Sequence, residues 1–238
     1  DIDVGQCVED ADIKAGKALR VGAGILAGGV GVVQAREVVR AKYTQNAILR
    51  CRGDVHIEAD TNSTIECSGI ISAREGAGRL RGGTYCAGVG VWATEIGSPQ
   101  GVETWVRVGR DPGLARVLAR VSSDLLVVQA KAKKLQRERG VESAKRVGQS
   151  LTREHAGAIR RAMKAQREFQ KSRSLLETQR LEIEAAMAEA DQPFVRVEKL
   201  IYSGVHLQIG DALLSIDSTR PGATFRRDAE TGEVSSGS

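Results

Sequence analysis

Ala47-Ile-Leu-Arg-Cys-Arg-Gly-Asp-Val-His-Ile57 is answered sixteen residues later by Ser63-Thr-Ile-Glu-Cys-Ser-Gly-Ile-Ile-Ser-Ala73. In both, a small residue, a large aliphatic and a cysteine stand at alternate positions; a glycine and two more alternating apolar positions follow. With the cysteines as anchors, the pattern extends to Ala15, Ala35 and Ala87, at spacings of 20, 16, 16 and 20 residues. Four places before each anchor stand Ala11, Gly31, Ala47, Ser63 and Gly83; two before stand Ile13, Val33, Leu49, Ile65 and Tyr85. Four places after stand Leu19, Val39, Val55, Ile71 and Val91; six after stand Val21, Ala41, Ile57, Ala73 and Ala93.

Alternate residues of a strand face one way, so the first three positions form the inner face of one strand and the last two that of a second. Gly16, Gly53, Gly69 and Gly88 fall at the corner between them. The remainder of each period varies in length. This is the pattern of a parallel β-helix with two regular strands per coil and a looser third side. Equivalent residues stack about 4.8 Å apart, so Cys51 is expected over Cys67 in the interior. Hexapeptide-repeat acyltransferases need three hexads per coil without slippage, and this chain supplies two. Calcium-binding β-rolls need a repeated Asp that is missing here. An antiparallel sandwich would not hold one register through five copies.

Gly22-Ala-Gly-Ile-Leu-Ala27 fits the G-x-G-x-x-A turn of dinucleotide sites. Such a turn must open a helix, yet three glycines and β-branched residues follow, which form helix poorly. The repeat assigns Gly22 to Val30 to the long third side of one coil.

Composition agrees with a narrow, repetitive core. Only 3% of the 238 residues are aromatic, and glycines number 27. The four cysteines form no CxxC pair and the three histidines show no ligand spacing, so reduced core thiols are expected, not zinc or a disulfide framework. The longest uncharged apolar run, Val21 to Val33, is too short to span a bilayer. No signal peptide is evident.

A different pattern begins at Asp111-Pro112, an N-cap followed by proline at the first helical position. Leu114, Leu118, Val121, Leu125, Val128, Ala132 and Leu135 then recur at alternating spacings of four and three, a heptad seam. Gly148 and Ser150 read as a stop and a restart. A second helix carries Ile159, Ala162, Phe169, Leu176, Ile183 and Met187 on one stripe, interrupted by Gln166, Arg173 and Arg180. Pro193 ends it. The two helices are expected to fold back as an antiparallel pair. Alternation returns at Phe194–Val197 and 201–210, and this last segment is expected to close the end of the β-helix.

The order of these parts resembles the flagellar assembly protein A family. The residues that carry the resemblance are Ala11-Asp-Ile-Lys-Ala-Gly16, the later Ile/Val-x-Ala/Cys steps and Arg81-Gly-Gly83. More specific are Ala93-Thr-Glu-Ile-Gly-Ser-Pro99 with Thr104-Trp-Val-Arg-Val-Gly109, and Ile201-Tyr-Ser-Gly-Val-His-Leu-Gln-Ile-Gly210. The resemblance implies a right-handed single-stranded parallel β-helix interrupted by a long antiparallel coiled-coil hairpin. Expected boundaries are β-helix coils over 1–110, the hairpin over 111–192, returning strands over 193–234 and a disordered tail over 235–238. It further implies a non-enzymatic cytoplasmic protein that supports bacterial flagellar assembly or placement through protein contacts. It supplies no catalytic residues and no cofactor. Family members usually carry a separate N-terminal domain, and the abrupt start here is expected to reflect missing upstream sequence.

A search for chemistry independent of that family finds little. His56 is expected to be outward and solvated, His155 lies on the basic helix and His206 on a late strand. Neither a supported Ser-His-Asp order nor a phosphate loop is present, and Arg79–Gly83 reads as a corner between coils. One segment is electrostatically distinct. Residues 131–173 hold fourteen Lys or Arg against four Glu, a local net of +10 that leaves the remainder at −5. Arg137, Arg139, Lys145, Arg146, Arg153, Arg160, Arg161 and Lys164 flank the expected hairpin tip. They form either a solvated face or a dock, with an acidic protein as first partner and nucleic acid as second. With only Phe169 aromatic here, single-strand stacking is disfavoured. A β-helix acyltransferase, a nucleic-acid binder and a homo-oligomer are the alternatives to a protein-binding scaffold.

Overall fold

The computed structural model of the chain describes residues 1–28, 31–144, 153–188, 192–228 and 230–237. These fall into two compact units, Asp1–Ala115 with Glu189–Ser238, and Arg116–Ala188.

The first unit is a β-solenoid. Its strands are β1 (Ile2–Val4), β2 (Val8–Glu9), β3 (Ile13–Lys14), β4 (Ala18–Val21), β5 (Gly24–Leu26), β6 (Val32–Ala35), β7 (Val38–Gln45) and β8 (Ile48–Cys51). They continue as β9 (Asp54–Thr61), β10 (Thr64–Cys67), β11 (Ile70–Ala73), β12 (Arg79–Arg81), β13 (Gly83–Ala87), β14 (Gly90–Ile96) and β15 (Thr104–Val108). Two helices intervene, α1 (Pro112–Ala144) and α2 (Arg153–Ala188). The solenoid then resumes with β16 (Phe194–Ile201), β17 (Val205–Ile209), β18 (Ala212–Ile216), β19 (Arg220–Pro221), β20 (Thr224–Arg227) and β21 (Val234–Gly237).

One sheet stacks β1-β4-β7-β9-β11-β14-β16 in parallel; the other stacks β3-β6-β8-β10-β13-β15-β17. The register is the one the repeat predicts. Ile13, Val33, Leu49, Ile65 and Tyr85 form one column, and Cys51 lies over Cys67. Leu19, Val39, Val55, Ile71 and Val91 form another. Almost all of these side chains are fully buried. Each coil presents a narrow apolar edge that only its neighbours cover, so burial accrues coil by coil, at about 1.5–3 kcal/mol per large side chain.

The third side is more regular than expected. It is built by β5, β12 and the second halves of β7, β9, β14 and β16, with Ile25, Thr44, Asp60, Leu80, Ile96 and Ile201 in line. Gly22 and Gly24 serve close stacking there and open no helix. A Cβ on Gly22 would lie 2.4 Å from the Gly5 carbonyl oxygen, and one on Gly24 would enter the Tyr43 ring at 2.2 Å.

At the far end the ladder turns antiparallel: β17 pairs with β18, and β16 with β19 and β20. Ser235 and Ser236, expected in a disordered tail, instead lie in β21 against β20. Their side chains are exposed, so the pairing rests on backbone hydrogen bonds that hydropathy does not report.

α1 begins as expected. Asp111 Oδ1 accepts hydrogen bonds from the Gly113 and Leu114 amides at 2.6 and 3.2 Å, and from Ser68 Oγ at 2.9 Å. Along α1, Leu118, Val121, Leu125, Val128 and Ala132 are buried or half-buried between exposed neighbours; on α2, Phe169, Leu176, Ile183 and Met187 are half-buried. The two helices pack against each other. Gly148 and Ser150 lie outside the described residues.

Candidate functional site

Arg137 on α1 and Arg160, Arg161 and Lys164 on α2 are exposed, and none makes an ion pair among the described residues. Arg139 lies in α1 and Arg153 opens α2. Lys145 and Arg146 lie outside the described residues. Closer to the solenoid end of α2 the charge changes sign, and the acids are partly matched within the helix: Arg173 Nε donates to Glu177 at 2.8 Å, and Arg180 lies 3.4 Å from Glu184. Exposed pairs at this spacing contribute about 0.3–0.5 kcal/mol.

Between the helices lies a cavity of about 380 Å³, walled by Val128, Gln129, Ala132, Lys133 and Gln136 of α1 and by Gln166, Phe169, Gln170 and Arg173 of α2. Its cause is legible in the seam. Gln166 and Arg173 stand where large apolar residues would fill the space, opposite a small Ala132.

In the solenoid, polar side chains cluster in the third-side column. Thr44 Oγ1 donates to Asp60 Oδ1, while Tyr85 OH and the Ser63 amide donate to Oδ2 at 2.5 and 3.2 Å. Burial pushes the Asp60 carboxyl above its ordinary range against the pull of these donors. Burial, reinforced by Asp60, pushes the Tyr85 phenol well up. Beside this network Asn46 and Asn62 take left-handed conformations, with φ of 51° and 59°, and Asn62 Nδ2 donates to Asn46 Oδ1 at 3.0 Å. The cluster is interior and fully hydrogen-bonded, so it sets the corner between coils and offers nothing to a substrate.

His56 is half-buried on the outer face, not freely solvated, and burial and neighbouring Arg40 lower its pKa. His206 has more company. Its ring stacks on Trp105 at 4.5 Å, Nδ1 lies 2.9 Å from Ser215 Oγ, and Nε2 lies 3.9 Å from Glu103 Oε1. Sequence reasoning missed this Ser-His-Glu grouping, because only the register of β15, β17 and β18 brings its members together. Glu103 lies beyond hydrogen-bond reach of Nε2, so no third group orients the imidazole as an activated serine nucleophile requires. Trp92 is covered by guanidinium groups, Arg74 at 3.9 Å and Arg196 at 4.5 Å from its ring centre, and its Nε1 donates to Glu198. No helix among the described residues is long and apolar enough to cross a membrane.

Residues 1–234 match the model of one family, described as the flagellar assembly protein A (FapA) β-solenoid domain. Comparison with curated proteins and with solved structures found no match.

Proposed function

Because this chain belongs to the flagellar assembly protein A β-solenoid domain family, we propose that it is a non-enzymatic scaffold that supports bacterial flagellar assembly or placement through contacts with other proteins. The family match over residues 1–234 carries this reading. The helical insertion is read as an antiparallel coiled-coil hairpin whose basic outer part docks an acidic protein. The half-buried heptad residues of both helices and the cavity they share support the hairpin. Arg137, Arg160, Arg161 and Lys164 support the dock, since they are exposed and make no ion pair among the described residues; Arg139, Lys145, Arg146 and Arg153 complete the proposed set. The solenoid is read as right-handed, because crossovers between parallel strands of one sheet almost always take that hand. A cytoplasmic location is read from the family assignment, with Cys51 and Cys67 taken as stacked core thiols.

The test is complementation of a flagellated bacterium from which the gene has been deleted. The intact chain, a form lacking residues 131–173, and the combined Arg137→Glu, Arg160→Glu, Arg161→Glu and Lys164→Glu variant are compared by flagellar counts and by capture of interacting proteins. The intact chain is expected to restore flagella, and both altered forms are expected to lose the captured acidic partner. Equal capture by all three rejects the helical dock. Failure to restore by the intact chain, within its natural full-length context, rejects the flagellar role. Retention on duplex DNA that charge reversal abolishes would replace the acidic protein by a phosphate backbone.

A further inference from the structure

The outer face of the β1-β4-β7-β9-β11 sheet carries a groove of about 460 Å³, within the usual range for small-molecule sites. Strand register sets its floor. Asp3, Arg20, Arg40, His56 and Ser72 stand in one outward column, each paired with the next. At about 4.8 Å per coil, the column runs roughly 19 Å along the solenoid. Two residues farther along each strand, Gly5 and Gly22 leave one end without side chains, and Lys42, Glu58 and Arg74 wall the other.

The groups of this column are unevenly matched. Like charges in register on adjacent strands repel. Arg20 is relieved by Asp1 and Asp3, at 3.8 and 3.3 Å. Arg40 forms no ion pair among the described residues, although Glu58 and Glu75 line the same groove. His56 and Ser72 are half-buried, and neither side chain makes a hydrogen bond among the described residues. Polar groups withdrawn from water usually have partners. Three consecutive coils thus present a guanidinium, an imidazole and a hydroxyl to one concavity, each carried on a strand of the stacked sheet. Burial and then Arg40 lower the His56 pKa; Arg74 adds to this, while Asp54 and Glu75 oppose it. An anion between Arg40 and His56 supplies the missing counter-charge and favours the protonated ring. A carboxylate is satisfied by one guanidinium fork, whereas a phosphate group offers three terminal oxygens to three separate donors. Glu58 and Glu75 accept hydrogen bonds from hydroxyls, and they repel the further charges of a long polyanion.

We propose that this groove binds a phosphate group, free or carried by a small hydroxylated molecule, with its oxygens on Arg40, His56 and Ser72. The site stands on the solenoid alone and is independent of the helical dock.

Histidine-ring NMR of the full chain tests it, with His206, which lies outside the groove, as internal reference. Inorganic phosphate is expected to shift the His56 ring signals saturably and to raise the pKa at which they titrate. Chloride at equal ionic strength should move neither ring. Arg40→Gln should weaken the phosphate response about tenfold and Ser72→Ala about threefold. Lys14→Gln, which removes an exposed charge from the other sheet, should leave it within about twofold. All three side chains face outward, and an unchanged urea midpoint shows that each variant is folded. Ribose should give no response. Tighter binding of ribose 5-phosphate than of inorganic phosphate marks the group as an ester's, and the reverse marks it as the free ion. A His56 signal that responds to phosphate no more than to chloride overturns the proposal. Equal weakening by Lys14→Gln and Arg40→Gln also overturns it, since a diffuse positive field then accounts for the response.

Discussion

The solenoid and the helix pair bury their apolar residues by different rules. In the solenoid, Leu49, Ile65 and Ile71 have covered neighbours above and below and are fully buried. In the helices, the best-buried seam residues, Val121 and Leu125, still keep 8% exposure, and Gln166 and Arg173 occupy positions that an apolar side chain would fill. A coil meets its partner next in sequence. A two-helix seam offers two apolar positions per heptad, and polar substitutions thin it further. Stability should therefore be concentrated in one unit and adaptability in the other.

Matched truncations probe that difference most directly. Ile65→Ala should cost about 3 kcal/mol in the urea unfolding of the solenoid, and Leu125→Ala less than half of that. Equal losses would mean that the helices carry as much of the stability as the coils. Glycine substitutions sharpen the account of close stacking. A Cβ on Gly53 would meet the Glu37 carbonyl oxygen at 1.8 Å, while one on Gly16 meets nothing within 4 Å. Gly53→Ala should cost about 2 kcal/mol, and Gly16→Ala less than about 0.5 kcal/mol.

The polar cluster sets a pH signature on the solenoid alone. The folded pKa of Asp60 is raised above its unfolded value by burial. The stabilisation linked to its protonation is complete below the unfolded pKa and is lost as pH rises through the folded one. Asp60→Asn should remove that slope and flatten the pH dependence of stability above the ordinary carboxyl range, read from urea midpoints. An unchanged slope would assign the pH dependence to other groups. At the start of α1, Asp111→Ala should lower helix stability by about 1 kcal/mol, seen as earlier loss of the helical signal on heating.

Much of the solenoid was legible because a period-two pattern recurs at nearly constant spacing and stacking demands one register. Ile13, Val33, Leu49, Ile65 and Tyr85 needed no more than counting. The third side reads as loose because the remainder of each period varies in length, and its interior column contains Thr44 and Asp60, whose hydrogen bonds with Tyr85 and Ser63 no local window shows. The cluster of Trp105, His206 and Ser215 was hidden for another reason: strand register unites residues that no local window contains. Of the basic set, exposure is visible at four positions, and charge alone does not say what meets them.

The helical insertion leaves the solenoid ladder unbroken. β14 pairs with β16 from Gly90↔Phe194 to Ile96↔Ile201, although the helices lie between them in sequence. The order of synthesis gives this continuity a temporal meaning. Every coil up to β15 can settle on its predecessor as it leaves the ribosome, but β16 emerges about 85 residues after β15. At about 5–20 residues per second, the exposed edges of β14 and β15 wait roughly 4–17 seconds for their cover. During that interval the nascent solenoid ends in an open, adhesive edge, and Arg196 has yet to close over Trp92.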